Sequence, residues 1–344
     1  MNIFKVNNFF GFFMVALAIT SCVQKIEQTS SLKQESNCRQ VQHQMGEAKI
    51  CDEPKRIVAL GPNVLEPLLA LQVQAIAFAD HIGFYTKDYT NPLEQIPYLG
   101  KYINESMTNV GIAYTPNIEQ ILKVKPDLIL GVEINNASQY EMLSKIAPTL
   151  ILDWDKPMEN MKTIAQAVNR ETQAEELLQT TQAQIAKAKT EFAPVVKKHP
   201  KVLLLYAKGL QELISDNSRG LCSSLVKDLG FQLVSPPKSN PSQPDTRTPI
   251  SLEILPQLEK ADSIILLGYN FSQPETLKDI DNFAQHQLTE TQQAWAKNEI
   301  AQSLEASKEG RVYYIPAYMC LGLTGAIGTE LYLNELKTQL LPKL

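Results

Sequence analysis

The chain has 344 residues, 44% of them hydrophobic and 20% charged, and carries 32 Lys and Arg against 37 Asp and Glu for a formal net charge of −5. That length supports two domains with substantial cores. The cations are scattered, with no basic run longer than a pair such as Lys197-Lys198, which speaks against a nucleic-acid surface.

Residues 1–21 read as an export signal. One early cation, Lys5, precedes an apolar run from Phe9 to Ile19 that is too short to span a bilayer comfortably, and small residues follow. The segment ends in ITSC (19–22), which resembles the bacterial lipobox, where the cysteine, here Cys22, becomes the lipidated first residue. Plain secretion with Cys22 free is the alternative. Residues 22–37 are dominated by Gln, Ser, Glu and Lys; such a stretch cannot support a core and reads as a flexible tether at a membrane surface. Cys38 and Cys51 bracket a short hairpin with Gly46 in its middle. Paired in an oxidising compartment, they would close a small loop and contribute about 2–3 kcal/mol. Nothing in the spacing of Cys222 and Cys320 argues for a bond between them. With no Cys-x-x-Cys and four dispersed His, no zinc site is expected.

Residues 56–60 form a first strand ending at Gly61-Pro62-Asn63, a turn placed to cap a helix over 64–71. A second strand, 75–79, runs into DHIGFY (80–85), and residues 85–116 read as a loop rich in Tyr, Asn and Gly. Then comes the first copy of a repeated unit, NIEQILKVKPDLILG (117–131), whose near match is SLEILPQLEKADSIILLG (251–268). Each copy begins with a capping side chain, Asn117 or Ser251, and a Glu in the first turn. A short apolar helix and an Asp follow, then an apolar strand that stops at Gly131 or Gly268. Strands without polar alternation are buried on both faces, as in parallel sheets covered by helices. Residues 149–153 add the last strand of the first half.

Residues 158–192 contain no Pro or Gly, and Met161, Ile164, Ala165, Val168, Leu177, Leu178 and Ile185 recur at helical spacing. They predict one connecting helix, roughly 50 Å long, with two helices broken near Asn169-Arg170 as the alternative. Beyond it lie strand 201–206, helix 221–229, the second repeat, strand 311–315 and a terminal helix over 326–341. The fold class is therefore α/β: two lobes, 38–157 and 193–344, each a mainly parallel sheet flanked by helices, joined by one long helix. A cleft between lobes is the natural ligand site, and lobes joined by helix should hinge only slightly.

The export signal with its lipobox, PKRIVAL (54–60), TPNIEQILKVKPDLIL (115–130), the connecting helix and KEGRVYY (308–314), taken in this order, resemble the periplasmic substrate-binding proteins of iron–siderophore and vitamin B12 ABC importers. The likeness covers about residues 38–340, and CRQVQHQMG (38–46) further resembles the ferric-siderophore members. It implies a lipid-anchored monomer on the periplasmic side of the cell membrane. That monomer would bind a ferric siderophore, with no intrinsic cofactor or directly bound metal, and hand it to an ABC permease in the inner membrane. Haem or cobalamin binding by the same fold is the alternative, haem taking an axial His81 or Tyr206.

In open α/β sheets the ligand crevice lies at the carboxyl ends of the strands. Aromatic groups recur there: Tyr85, Tyr114, Trp154, Tyr206, Tyr269 and Tyr318, together with His81. Their flat faces and polar tips suit a bulky chelate. A cationic fork is also expected for an anionic chelate. Arg219, in SDNSRGL (215–221), matches a position where some siderophore-binding relatives place a ligand-contacting Arg, and Arg247 lies in a Pro-rich loop able to reach the same mouth. Where many anionic-siderophore relatives carry a basic residue near 111–116, this chain has Ala113 and Tyr114, a departure that leaves the ligand's charge open. The resemblance also implies permease contacts through one acid on each lobe, Glu141 and Glu275, with Glu133 as a reserve. No Gly-x-Ser-x-Gly, His-Glu-x-x-His or P-loop occurs, and the Gly322, Gly325, Gly328 spacing reads as helix packing, so no enzyme is expected.

Overall fold

The computed structural model of the chain describes residues 37–215, 220–236, 248–258, 260–272 and 280–341. The export signal, the tether up to residue 36, and Cys22, Arg219, Arg247 and Glu275 lie outside the described residues.

An antiparallel hairpin of β1 (Cys38–His43) and β2 (Gly46–Cys51) opens the described chain, with Cys38 and Cys51 opposite each other at its open end and joined by a disulfide. It lies on the last strand of the N-terminal sheet, where the Ile151 N–H donates to His43 Nδ1 and the Gln44 N–H to the Ile151 carbonyl.

The N-terminal sheet has the order β6-β5-β4-β3-β7-β8. Its strands are β3 (Ile57–Leu60), β4 (Ala77–Asp80), β5 (Thr108–Ile112), β6 (Thr115–Pro116), β7 (Leu128–Val132) and β8 (Thr149–Leu152). All pairings are parallel except that of β5 with β6. Strands β3, β4, β7 and β8 are buried along their whole length, which is why they read as unbroken apolar runs. The C-terminal half runs β9 (Lys201–Lys208), β10 (Glu212–Ser215), β11 (Gln232–Leu233), β12 (Thr248–Ile250), β13 (Ser263–Gly268) and β14 (Val312–Pro316). Its order is β12-β10-β9-β13-β14, with β11 also pairing with β9. Strands β9, β13 and β14 are parallel, while β10 is antiparallel to both its neighbours.

The two repeat units take the same place beside the central strand of each sheet. Asn117 caps the helix Ile118–Lys123 by accepting the Gln120 N–H. The second copy is a 3-10 helix, Leu252–Leu258, because Pro256 has no N–H to give and its ring crowds the preceding turn. The aspartates are equivalent: Asp127 accepts the N–H groups of Lys55 and Arg56 ahead of β3, and Asp262 accepts that of Lys201 at the start of β9, all at 2.8 Å. Each carboxylate pins the entry of the central strand.

The connecting segment differs from a single rod over 158–192. Helix Pro157–Val168 stops at Asn169, which sits in the left-handed region (φ 59, ψ 51), and helix Glu171–Lys198 follows. Asn tolerates that conformation, and the break costs little. Arg170 is held there by an ion pair to Glu53 at 2.7 Å. The second helix has 28 residues, one of them Pro194, and is roughly 40 Å long. Its Ala174 and Leu178 enter the N-terminal core and its Ala188 and Phe192 the C-terminal one, so a long helix does serve both lobes.

Two elements departed from the sequence reading. The supposed loop 85–116 contains β5, whose TNVGI lacks an apolar run but completes the open edge of β4. Helix Phe283–Lys297, unread in the sequence, packs across β9, β13 and β14 and buries Leu288, Thr291 and Trp295, while Phe283 at its start enters the N-terminal core. A second disulfide joins Cys222, in helix Gly220–Asp228, to Cys320 in the turn after β14.

The lobes are tied to each other by buried polar contacts. Glu66, in helix Pro62–Ala70, is fully buried and accepts the N–H groups of Gly325 and Ile327 at the start of the terminal helix Ala326–Leu340, both at 2.7 Å. A Cβ at residue 325 would overlap that carboxylate. Asn63 donates to the Leu321 carbonyl at 3.1 Å, and the Tyr318 hydroxyl donates to Asp80 at 3.1 Å. Among the described residues no helix is long and apolar enough to cross a membrane.

Removing the Glu66 carboxylate strands buried N–H donors, so Glu66→Ala should lower the unfolding free energy by about 3 kcal/mol, read from urea denaturation. Burial pushes the Glu66 carboxyl up from 4.5 to about 7, with three backbone N–H groups opposing. Between those values the native state holds a proton that the unfolded chain has released. The stability from that proton is therefore full below about pH 4.5 and is lost as pH rises through about 7. In Glu66→Gln this part of the pH profile should be flat.

Candidate ligand-binding cleft

Both sheets direct the carboxyl ends of their parallel strands to one region, and the N-terminal wall is built from four of these ends. Gly61, at the end of β3, has φ +127, and a Cβ there would lie 3.3 Å from His81 Nε2 and 3.7 Å from the Ala113 Cβ. Only a residue without a side chain lets β3, β4 and the β5–β6 turn converge so closely. The buried Asn136 fixes that turn to β7 by donating to the Ala113 carbonyl at 2.7 Å and accepting the Val132 N–H at 3.2 Å. Tyr114, in the same turn, is 53% exposed, and its hydroxyl approaches the His81 carbonyl at 3.5 Å.

His81 is half-buried, and desolvation pulls its pKa down to about 4, so the ring is neutral near pH 7. The Asn135 amide nitrogen stands 3.3 Å from Nε2, an arrangement in which the unprotonated nitrogen accepts. Asp80, directly before it, is buried and accepts the N–H of His81 at 2.6 Å as well as the Tyr318 hydroxyl. Burial pushes the Asp80 carboxyl up to about 6 against those hydrogen bonds.

Trp154, after β8, spans the gap. Its ring edge would lie 3.0 Å from a Cβ on Gly220, the first residue of helix Gly220–Asp228 in the other lobe. Its backbone N–H donates to Glu133 Oε2 at 2.8 Å. Glu133, the reserve for a permease contact, is thus engaged with the Trp154 backbone, and burial raises its pKa. Glu141 is exposed at the start of the short helix Tyr140–Leu143.

From the C-terminal lobe come Lys208 at the end of β9, half-buried with Glu212 opposite it in register, and Tyr269 after β13, whose hydroxyl donates to Glu212 at 3.3 Å. Asn270 donates to Glu290 at 3.1 Å.

Two aromatics expected in the wall lie elsewhere. Tyr206 is buried on the face of β9 that carries Val202 and Leu204 into the C-terminal core, since residues two apart share a face. Tyr318 is buried as the floor between the lobes, 5.2 Å from Phe283, 6.0 Å from Phe271 and 5.9 Å from Tyr98 between ring centres. Neither ring presents a face to the gap. Tyr85 is exposed on the loop after β4 and donates to the Glu94 carbonyl at 3.1 Å. The reading of strand ends missed Asn135 and Ile134, and it missed Phe84, which packs edge-on against Phe283 at 5.0 Å. Ile134 and Asn135 follow β7 directly, so their place beside a strand end was the available signal.

The sequence pattern of the family described as periplasmic binding protein matches residues 57–319. The chain is 23% identical over 339 residues to the probable siderophore-binding lipoprotein YfiY of Bacillus subtilis (strain 168), covering 96% of this chain and 97% of that protein. It is 28% identical over 306 residues to the Fe(3+)-citrate-binding protein YfmC of the same organism, covering 87% of this chain and 85% of that one. Among solved structures, Staphylococcus aureus SirA complexed with staphyloferrin B matches with a TM-score of 0.68 at 23% identity, over 87% of this chain and 97% of that one. That is the same fold.

The neutral His81 is open to direct measurement. Its ring resonance, assigned by loss in His81→Gln, should titrate near pH 4 and not near 6.5. A midpoint above about 6 would mean that the ring is hydrated like a surface histidine.

Proposed function

This chain belongs to the periplasmic binding protein family, and from that premise we propose that it is the substrate-binding component of an ABC importer, holding a ferric siderophore between its lobes for delivery to a membrane permease. The observation that carries the reading is the cleft itself: Trp154 reaching across to Gly220, with His81, Asn135 and Tyr114 at converging strand ends. Relatives named for binding a siderophore or ferric citrate over most of the chain supply the ligand class.

On this reading the gap is largely preformed, since the lobes are bound by Glu66, Asp80 and the aromatic floor, and preformed sites lose less free energy to ordering on binding. Trp154 covers the chelate, Tyr114 and Tyr269 supply flat faces, and Arg219 and Arg247 bring positive charge. Glu141 and Glu275 give the permease a charge register, which sets orientation and encounter rate more than affinity. Residues 1–21 are removed on export, Cys22 carries the lipid, residues 22–37 form the leash, and the protein acts as a monomer on the periplasmic side of the cell membrane, with no catalysis of its own. Haem is disfavoured because Tyr206, one of its two possible axial ligands, is buried in the core.

The chain has two Trp, and Trp295 is sealed in the core with its ring N–H bonded to Ser307. Quenching of fluorescence by a ferric siderophore should therefore report on Trp154 and vanish in Trp154→Phe, while Trp154→Ala should weaken binding roughly 10-fold. Purified protein that ignores every ferric chelate but develops a Soret band with hemin would reverse the assignment.

A further inference from the structure

Tyr318 turns no face to the gap, yet its hydroxyl ends on an atom of the N-terminal wall. Asp80 is the last residue of β4 and is buried. Its Oδ1 accepts the Tyr318 hydroxyl at 3.1 Å, the His81 N–H at 2.6 Å and the Ile82 N–H at 3.4 Å. One oxygen thus joins a side chain of the C-terminal lobe to the backbone that carries His81. From His81 the contacts continue to Asn135, just after β7, at 3.3 Å from Nε2.

Tyr318 is itself held from several sides. Its N–H donates at 3.0 Å to Gln287, which is buried in helix Phe283–Lys297. Phe283 and Phe271 meet the ring edge-on at 5.2 and 6.0 Å, and Tyr98 lies over it at 5.9 Å with only 25° between the planes. Tyr98 comes from the N-terminal lobe and packs against both cores. It does so at φ 61, in the left-handed region. A bulky residue keeps that conformation only where its surroundings over-determine it. The strained residue is thus one that fixes the plane of the Tyr318 ring, and the ring's place sets where the hydroxyl oxygen lies.

Resting on the importer reading above, we infer that Tyr318 is a positioning residue of the ligand cleft: through Asp80 it sets His81, so the contact between His81 and the chelate depends on the position of the opposite lobe. A hydroxyl on a buried carboxylate is a strong bond with no water at hand to replace it. Without that hydroxyl, Asp80 Oδ1 keeps only the backbone donors of its own turn. Residues 80–82 are then no longer tied across the seam, and the imidazole swings toward water. A binding group displaced by a fraction of an ångström loses much of its contact.

The test uses Tyr318→Phe, which keeps the ring and its packing and removes only the hydroxyl. The His81 ring resonance should move from a midpoint of about 4 to above about 5, in the direction of a hydrated histidine. Affinity should fall roughly 10-fold, measured by Trp154 fluorescence with whichever of ferric citrate, a ferric tris-hydroxamate and a ferric tris-catecholate binds the wild type best. Asp80→Ala should produce both changes. The double variant should match Asp80→Ala to within about 2-fold, because the hydroxyl then has no oxygen to hold. A His81 midpoint left near 4 in Tyr318→Phe overturns the inference whatever the affinity does, since weaker binding with an unmoved ring is general loosening. Unchanged affinity, or losses that add in the double variant, overturn it as well and leave the importer reading standing. A wild-type protein that binds none of the three chelates removes both.

Discussion

A carboxylate with no access to water, Glu66, sits against the first turn of the terminal helix, and the relation between the two lobes follows from it. A helix N-terminus presents unsatisfied N–H groups and a partial positive charge. Here those groups find their acceptor on a helix of the opposite lobe, at Gly325 and Ile327. The carboxylate is expensive to bury alone and the N–H groups are expensive to leave unpaired, so each makes separation of the other costly. Gly325 is required because any side chain would occupy the place of the carboxylate.

Around that contact the interface is arranged by depth. Asp80 with Tyr318 and the rings of Phe84, Tyr98, Phe271 and Phe283 fill the floor. Nearer the mouth come His81, Asn135 and Tyr114, and Trp154 lies across to Gly220. Burial beside that floor lowers the His81 pKa and keeps the ring neutral. The charge of the site is consequently set by what stands at its rim.

The internal repeat explains why two such walls exist. Asp127 and Asp262 each anchor the central strand of their sheet by its first N–H groups, so both sheets end their strands at comparable points and the ends meet. Their differences are local. Pro256 tightens one helix into a 3-10 turn, and β10 runs antiparallel beside β9 where β4 runs parallel beside β3.

How far this was legible in the sequence depends on whether the signal is local. Apolar runs, the two Asp before strands and the Gly at strand ends are all encoded within a few residues, and they located the sheets and the ends of their strands. The left-handed Asn169 was visible only as an alternative, because one Asn in a window free of Pro and Gly is a weak breaker. β5 has no apolar run and is a strand because β4 offers it hydrogen-bond partners. Cys222 and Cys320 are 98 residues apart, and the Glu66–Gly325 and Asp80–Tyr318 contacts span 259 and 238 residues. By itself, then, the sequence determined two α/β sheets, a long helix serving both and the strand ends that face each other. Which side chains turn into the gap, as Trp154 does, and which into the core, as Tyr206 and Tyr318 do, was decided only by the tertiary structure, because a face is chosen by partners hundreds of residues away and leaves no pattern nearby.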